Sequence, residues 1–255
     1  MPNLRRTLVQ KWTRLTMPLR YAYETPAACW CGGNVDFSIG GLADPRPQVG
    51  RCDSCGTGVL RRRLTEKSYA RFYASGDYRR YVRGSDEVTL GQFLREYRRG
   101  LGAITYLEEA GYGIWGQRVL DFGCGAGGVL AVALVAGAKE VVGVDVDPRS
   151  AVATRALGIP VEKEPPARVF DRIILSHILE HALRPHMLLS WLAVGHRLAK
   201  DGCLYVETPE WTARSEVKLP HPWMFTQGAV AILAERAGLV VEHLKPGVHA
   251  ILRKT

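Results

Sequence analysis

Apolar runs of strand length alternate with helix-periodic stretches through the second half of the chain. Val119-Leu120-Asp121-Phe122, Glu140-Val141-Val142-Gly143-Val144-Asp145, Asp171-Arg172-Ile173-Ile174-Leu175 and the DGCLYVETPE segment are strand-sized and read as strands. The pattern after Gly127 is helical to about Val135, and Gly137 offers a helix stop before the next strand. Gly91 to Glu109 places apolar residues at Phe93, Tyr97, Leu101, Ile104 and Leu107, with charges on much of the other face, so a flanking helix is expected. Strand and helix alternate from Arg118 to Tyr205, which predicts an α/β fold around a mostly parallel sheet. Glu242–Lys245 and Ala250–Leu252 read as its last strand pair.

The first of these strands runs directly into Gly123-Cys124-Gly125-Ala126-Gly127-Gly128. Glycines there allow backbone dihedrals that side chains resist and let a ligand approach closely. In open α/β sheets, ligands collect at such strand ends. The second strand ends in Asp145, twenty residues beyond Gly125, where a carboxylate can accept two hydrogen bonds from a ribose diol. The spacing is GxGxGG rather than the dinucleotide GxGxxG, and Asp121 adds negative charge beside the turn. A sulfonium or ammonium group suits that charge better than a pyrophosphate does.

With VLDFGCGAGG, VVGVDVDP, FDRIILSHILEH, DGCLYVETPE and HPWMFTQGAVAILAERAGL in place, the chain from about Gly91 to Thr255 resembles class I S-adenosylmethionine (SAM) dependent methyltransferases. The resemblance implies a Rossmann-like, mostly parallel seven-stranded sheet. It implies that SAM is bound, with S-adenosylhomocysteine as product. The methionine part of SAM would lie over Gly123, Cys124, Gly125 and Gly127 beside Asp121, the ribose on Asp145 and the adenine against Val146. Ser176 and His177 would line the junction of cofactor and acceptor. The stretch from Glu162 to Arg168 departs from many relatives in lacking the Asp or Asn that they place against the adenine amino group.

Two cysteine pairs stand near the front, Cys29-Trp30-Cys31 and Cys52-Asp53-Ser54-Cys55, each followed by glycine. Four thiolates on tight turns suit a tetrahedral structural zinc. Val35-Asp36-Phe37 and Gln48-Val49-Gly50-Arg51 read as short strands between the pairs, too small a layer to hold together without metal. Cys124 and Cys203 fall in the later sheet and read as buried small residues. The arrangement is similar to bacterial methyltransferases with an N-terminal cysteine zinc module that act on nucleotide-linked sugars and other small metabolites. The expected organisation is a basic segment at 1–25, a four-cysteine zinc-binding module at 26–60, a linker and substrate lid at 61–90, and the SAM-dependent domain at 91–255.

A formal charge of +9 accompanies 47% hydrophobic composition. Many of the cations precede the predicted catalytic domain, at Arg5-Arg6, Arg14, Arg20, Arg61-Arg62-Arg63 and Arg79-Arg80, and Arg98-Arg99 fall at its start. Such an excess attracts RNA, a membrane surface or a phosphorylated small substrate without choosing among them. No apolar stretch is long enough to span a bilayer and no secretory leader is recognisable, so the expectation is a cytoplasmic protein with no membrane partner. Ser68–Tyr73 and Asp77–Tyr81 are dense in tyrosine and arginine, which suits either a lid over the acceptor or a packing helix.

His177-Ile178-Leu179-Glu180-His181 has the HxxEH spelling of an inverted zinc-protease motif, and on a helix both histidines would share a face. Its position after a strand favours a methyltransferase acceptor site over a protease or catalytic metal. His177 is the first candidate base, His181 the second, with Glu180 orienting a histidine or binding a sugar hydroxyl. Glu207 ends a strand near the acceptor, and His221 precedes a new helix as an acceptor contact. The favoured reading is methyl transfer to a small, sugar-like or phosphorylated metabolite, with O-methylation slightly ahead. An RNA base methyltransferase and a noncatalytic SAM-binding scaffold are the alternatives. The (D/N)PP(Y/F) signature of many exocyclic-amine enzymes is missing after the fourth strand.

Overall fold

The structure, a computed structural model, describes residues 2–37, 48–211 and 217–255. It opens with α1 (Pro2–Arg20), β1 (Tyr23–Glu24), β2 (Val35–Asp36), β3 (Val49–Cys52), β4 (Gly58–Leu60) and β5 (Arg63–Leu64). Three helices follow, α2 (Glu66–Ala74), α3 (Asp77–Arg83) and α4 (Leu90–Glu109). The alternating region comprises β6 (Arg118–Phe122), α5 (Gly128–Val135), β7 (Glu140–Val144), α6 (Pro148–Arg155), β8 (Val161–Glu162), β9 (Phe170–Ser176), α7 (Pro185–Leu192) and β10 (Leu198–Glu207). It closes with β11 (Trp223–Met224), α8 (Gln227–Arg236), β12 (Leu239–Lys245) and β13 (His249–Lys254).

Seven strands form the main sheet in the order β12-β13-β10-β9-β6-β7-β8. The five from β8 to β10 are parallel, and β13 enters antiparallel between β10 and β12. After β8 the chain crosses back over β6 to place β9 on its other side, so the strand order reverses at the β6–β9 boundary. The carboxyl ends there splay apart, and this is where a doubly wound sheet binds ligand. Val119, Leu120, Ile173, Ile174, Leu175, Leu204 and Val206 are all buried, as strands covered on both faces must be.

The buried face of α4 differs from the one its apolar periodicity predicts. Gln92, Glu96, Gly100, Ala103, Ile104 and Leu107 face inward, while Leu101 is exposed. Gly100 lies so close to α5 that an added Cβ would sit 2.9 Å from the Val129 Cα. That close approach, together with polar partners for Gln92 and Glu96, rotates the face away from the apolar stripe.

The cysteine segment packs as part of the main body. β2, β3 and β4 form an antiparallel sheet whose fourth strand is β11, contributed from beyond β10. Cys29, Trp30, Cys31, Cys52 and Cys55 share one apolar core with Ile173, Leu175, Val206 and Phe225. Arg236 of α8 donates to the Cys31 carbonyl. The turn joining the two cysteine pairs lies in large part outside the described residues.

Helix α1 packs on α3 through Thr13 and Met17, and Gln10 Nε2 donates to the Val82 carbonyl. Its other face carries Leu4, Leu8, Trp12, Leu15 and Leu19, all exposed. No helix among the described residues is long and apolar enough to cross a membrane.

Candidate active site

The glycine turn after β6 is built as its sequence requires. Gly123, Gly125 and Gly127 have φ of 84°, 57° and 83°, a region L residues with side chains rarely occupy. At Gly123 an added Cβ would stand 2.0 Å from Ile178 Cδ1, so the turn after β6 is pressed against the loop after β9. Asp145 holds the turn from the side. Its Oδ2 accepts the Gly125 N–H at 2.8 Å and its Oδ1 accepts the Asp147 N–H at 2.8 Å. A carboxylate offers about four lone-pair directions, so acceptor capacity remains for a ligand diol.

Three acids converge on this turn. Glu96, from α4, accepts the Ala126 N–H at 2.7 Å and Gln92 Nε2 at 2.7 Å. Asp121 is buried at the end of β6, and burial, reinforced by the charges of Glu96 and Asp145, pushes its carboxyl up to about 8. Burial likewise raises Asp145 to about 6, against the pull of the Asp147 and Gly125 N–H groups. Asp121 is therefore held largely neutral at pH 7 until a cation arrives, a refinement of the fixed negative charge its sequence position suggests. Cys124 turns both sulfur and N–H into the fold, its N–H donating to the Val144 carbonyl and its side chain 2% exposed. Val146 is exposed beside the turn.

A buried network joins the lid region to the same place. Arg79 of α3 pairs with Asp147 through Nε, donates to Gln92 Oε1 at 2.7 Å and reaches Ser150 Oγ. Asp147 is also the N-cap of α6, accepting the Arg149 N–H. Sequence reading missed Glu96, Gln92 and Asp147. The usable signals were polar residues four apart on a helix face and an Asp-Pro helix start.

The acceptor side is assembled from β9, β10 and the loop before β11. His177 follows β9 with φ 57°, and the next residues form a 3-10 turn over Leu179–His181. The two histidines of HxxEH thus do not share an α-helical face. His177 Nδ1 lies 3.1 Å from Glu180 Oε1 and its Nε2 3.6 Å from Glu207 Oε1. Ser176 Oγ donates to Glu207 Oε2 at 2.8 Å. Burial alone would lower His177, but hydrogen bonds to Glu180 and Glu207 outweigh it and hold the imidazole up at about 9. Glu207 would be raised by burial, yet the His177 partner brings it below the ordinary carboxylate range.

His181 lies deeper. Burial pushes it down to about 4, so its ring is neutral. Its Nδ1 is 2.8 Å from the Pro220 carbonyl and 2.9 Å from Tyr73 Oη. The carbonyl can only accept, so Nδ1 carries the hydrogen and Nε2 keeps its lone pair. His221 packs edge-on against it, ring centroids 4.7 Å apart. Tyr73 and Tyr78, from α2 and α3, close over His181 with their rings near-perpendicular to it. Of the two candidate bases, His177 is the charged one and His181 the neutral one.

The four cysteine sulfurs lie within 4.8 Å of one another, all buried. Cys29 and Cys55 sulfurs are 3.6 Å apart and those of Cys31 and Cys52 3.4 Å. A tetrahedron with Zn–S bonds of 2.3 Å has edges of about 3.8 Å, which these separations approach. Gly32 and Gly56 take positive φ at the two turns, and the Gly33 N–H points at Cys31 Sγ. The donor set fits a tetrahedral thiophilic cation.

A family model described as a methyltransferase domain matches residues 93–244. The ribosomal protein L11 methyltransferase of Stenotrophomonas maltophilia strain R551-3 is 34% identical over 111 residues, which is 39% of this chain and 36% of that enzyme. The chain thus spans only about a third of the length of the curated relatives it matches. Among solved structures, a sugar N-methyltransferase from Streptoalloteichus sp ATCC 53650 superposes with a TM-score of 0.52 at 15% identity, covering 66% of this chain and 94% of its own. Magnesium protoporphyrin IX methyltransferase from Synechocystis PCC 6803, with bound S-adenosylhomocysteine, gives 0.50 at 17% identity, covering 71% and 94%. These likenesses establish the class I fold.

Proposed function

The chain belongs to the methyltransferase domain family, and from that premise we propose that it moves the methyl group of SAM to a hydroxyl of a small, sugar-like metabolite. One observation carries this reading. The acid-lined glycine turn and the His177–Glu180–His181–Glu207–His221 cluster meet at the β6–β9 boundary under aromatic side chains of α2 and α3.

On the donor side, Asp145 takes the ribose hydroxyls, and the turn from Gly123 to Gly127 supports the methionine portion. Asp121 and Glu96 face its cationic groups, and Val146 lies along the adenine. SAM, when bound, supplies an electrophilic methyl group whose departure leaves the bonding pair on sulfur. The residues of this chain have three tasks: to align the acceptor, exclude water and receive the hydroxyl proton. His177, with 34% of its side chain exposed, touches the acceptor, with Glu180 and Glu207 fixing its ring. The His181–His221–Glu180 group behind it draws off the proton as the new O–C bond forms. Tyr73 and Tyr78 keep that step dry. Cys29, Cys31, Cys52 and Cys55 hold a structural zinc that fixes β11 and the loop bearing His221.

The likeness to a ribosomal protein L11 methyltransferase favours a second reading, in which the acceptor is a protein. Both are tested by incubating the purified full chain with methyl-labelled SAM and fractionated extract. Label in saccharide or nucleotide-sugar material supports the first reading, label in protein the second, and label confined to RNA overturns both. Binding of SAM without transfer to any fraction would make the chain a scaffold.

A further inference from the structure

We propose that Glu180, His181 and His221 form a second metal site, which holds a first-row divalent cation beside the acceptor. One ligand atom from each of the three lies within 4.8 Å of the other two. Glu180 is 2% exposed, and while its Oε1 meets His177, its Oε2 is buried with no hydrogen-bond partner among the described residues. A buried carboxylate oxygen without a donor is costly, and a cation is the partner that removes the cost. His181 is already oriented as a ligand: the Pro220 carbonyl binds Nδ1–H, which leaves the Nε2 lone pair for metal. Two imidazoles and one carboxylate suit Mn2+, Fe2+ or Zn2+ and leave coordination positions open. The site differs in kind from the four thiolates.

Its location gives the open positions a use. Ile178, next to this turn, touches Gly123, so a cation here sits across from the methyl donor's turn. An acceptor with two neighbouring hydroxyls would complete the coordination and lose a proton more readily when bound; with the cation in place of a proton on His181 Nε2, that proton passes to solvent past His177, whose side chain is 34% exposed. That use rests on the methyl-transfer reading; occupation of the site does not.

The test uses the purified full chain, freed of loosely held metal with a mild chelator while zinc at the thiolates is monitored. Mn2+ is titrated and followed by the electron paramagnetic resonance of the free ion. One equivalent is expected to bind, with affinity at least tenfold weaker in Glu180→Gln and in His221→Asn, both checked for an unchanged melting profile. Absence of binding, or binding that neither substitution weakens, overturns the site. Methyl transfer that proceeds equally without the cation overturns its catalytic use and leaves the methyl-transfer reading standing. Mn2+ binding with no transfer to any fraction supports the site and counts against that reading.

A separate observation carries a second inference: we infer that α1 docks on an anionic lipid surface. At 100° per residue, Leu4, Leu8, Trp12, Leu15 and Leu19 occupy a sector of about 80°, with Trp12 70% and Leu19 88% exposed. Arg5 and Lys11 flank this stripe, and no acidic residue precedes Glu24. An apolar stripe edged by cations is the pattern of an interfacial helix, and its charge commits it to anionic headgroups.

Sedimentation with phosphatidylcholine vesicles containing phosphatidylglycerol tests this. Binding is expected to need the anionic lipid, to fall at least fivefold in 0.5 M salt and in Leu15→Glu, and to shift Trp12 emission to the blue. No binding to anionic vesicles overturns the inference, as does burial of Trp12 only in a concentration-dependent dimer.

Discussion

Asp145 Oδ2 accepts the Gly125 N–H at 2.8 Å, so the acid that ends β7 holds the glycine turn that follows β6. Its other oxygen accepts the Asp147 N–H. One side chain thus fixes the turn and keeps lone pairs for a ligand. Asp145→Ala is expected to weaken SAM binding by about 2 kcal/mol, roughly thirtyfold, since hydrogen bonds to charged groups contribute about 1.5–3 kcal/mol. Calorimetry showing unchanged affinity would remove the residue from the site.

Asp121 predicts a proton linkage. Its carboxyl, held at about 8 in the free protein, is mostly protonated at pH 7, and a cation beside it favours the carboxylate. SAM binding at pH 7 is therefore expected to release a proton, seen as a binding enthalpy that varies with buffer ionisation heat and no longer does so in Asp121→Asn. The same shift sets a sign for stability. A folded value above the unfolded one of about 3.9 means the folded state binds more protons between them. This group's contribution thus declines as pH rises from about 4 to 8, in the ligand-free protein.

Arg79 and Asp147 form a buried ion pair between α3 and the start of α6. Arg79→Ala leaves the Asp147 carboxylate only the more exposed Arg149, 3.5 Å away, a loss of about 3 kcal/mol, at the low end for a broken buried pair. Thermal unfolding should show a clear fall in Tm, and SAM affinity should fall with it because Gln92 and Ser150 lose the same partner. Arg79→Lys, which cannot serve three acceptors with the planar fork, should recover only part of either.

The cysteine cluster shares its core with β9 and β10, so zinc removal should not unfold a front module alone. Metal analysis is expected to find one thiolate-bound zinc per chain. Strong chelation or Cys52→Ser should lower Tm in one cooperative transition and abolish methyl transfer. Two separate transitions, with SAM binding intact after the first, would show the cluster to be energetically independent.

A helical segment after Gly127, a parallel sheet, the glycine turn with Asp145 at its fixed distance and two cysteine pairs could all be read from the chain, because each rests on local periodicity or spacing. The buried face of α4 could not, since packing of Gly100 on α5 and the cap from Glu96 to Ala126 overrule an apolar stripe. The HxxEH spelling pointed to paired histidines on a helix. Tertiary structure instead joined Glu180 and His181 to His221, forty residues further on, through a 3-10 turn and a loop pinned by β11. The protonation of Asp121, His177 and His181 likewise belongs to the folded state alone, since burial and neighbouring charges set it. Sequence determined which elements form and where the cofactor turn lies, because backbone preference and hydrophobic period are local. Which side chains face one another, which are stripped of water and which face of α1 stays outside were decided by packing over long separations, which no local pattern encodes.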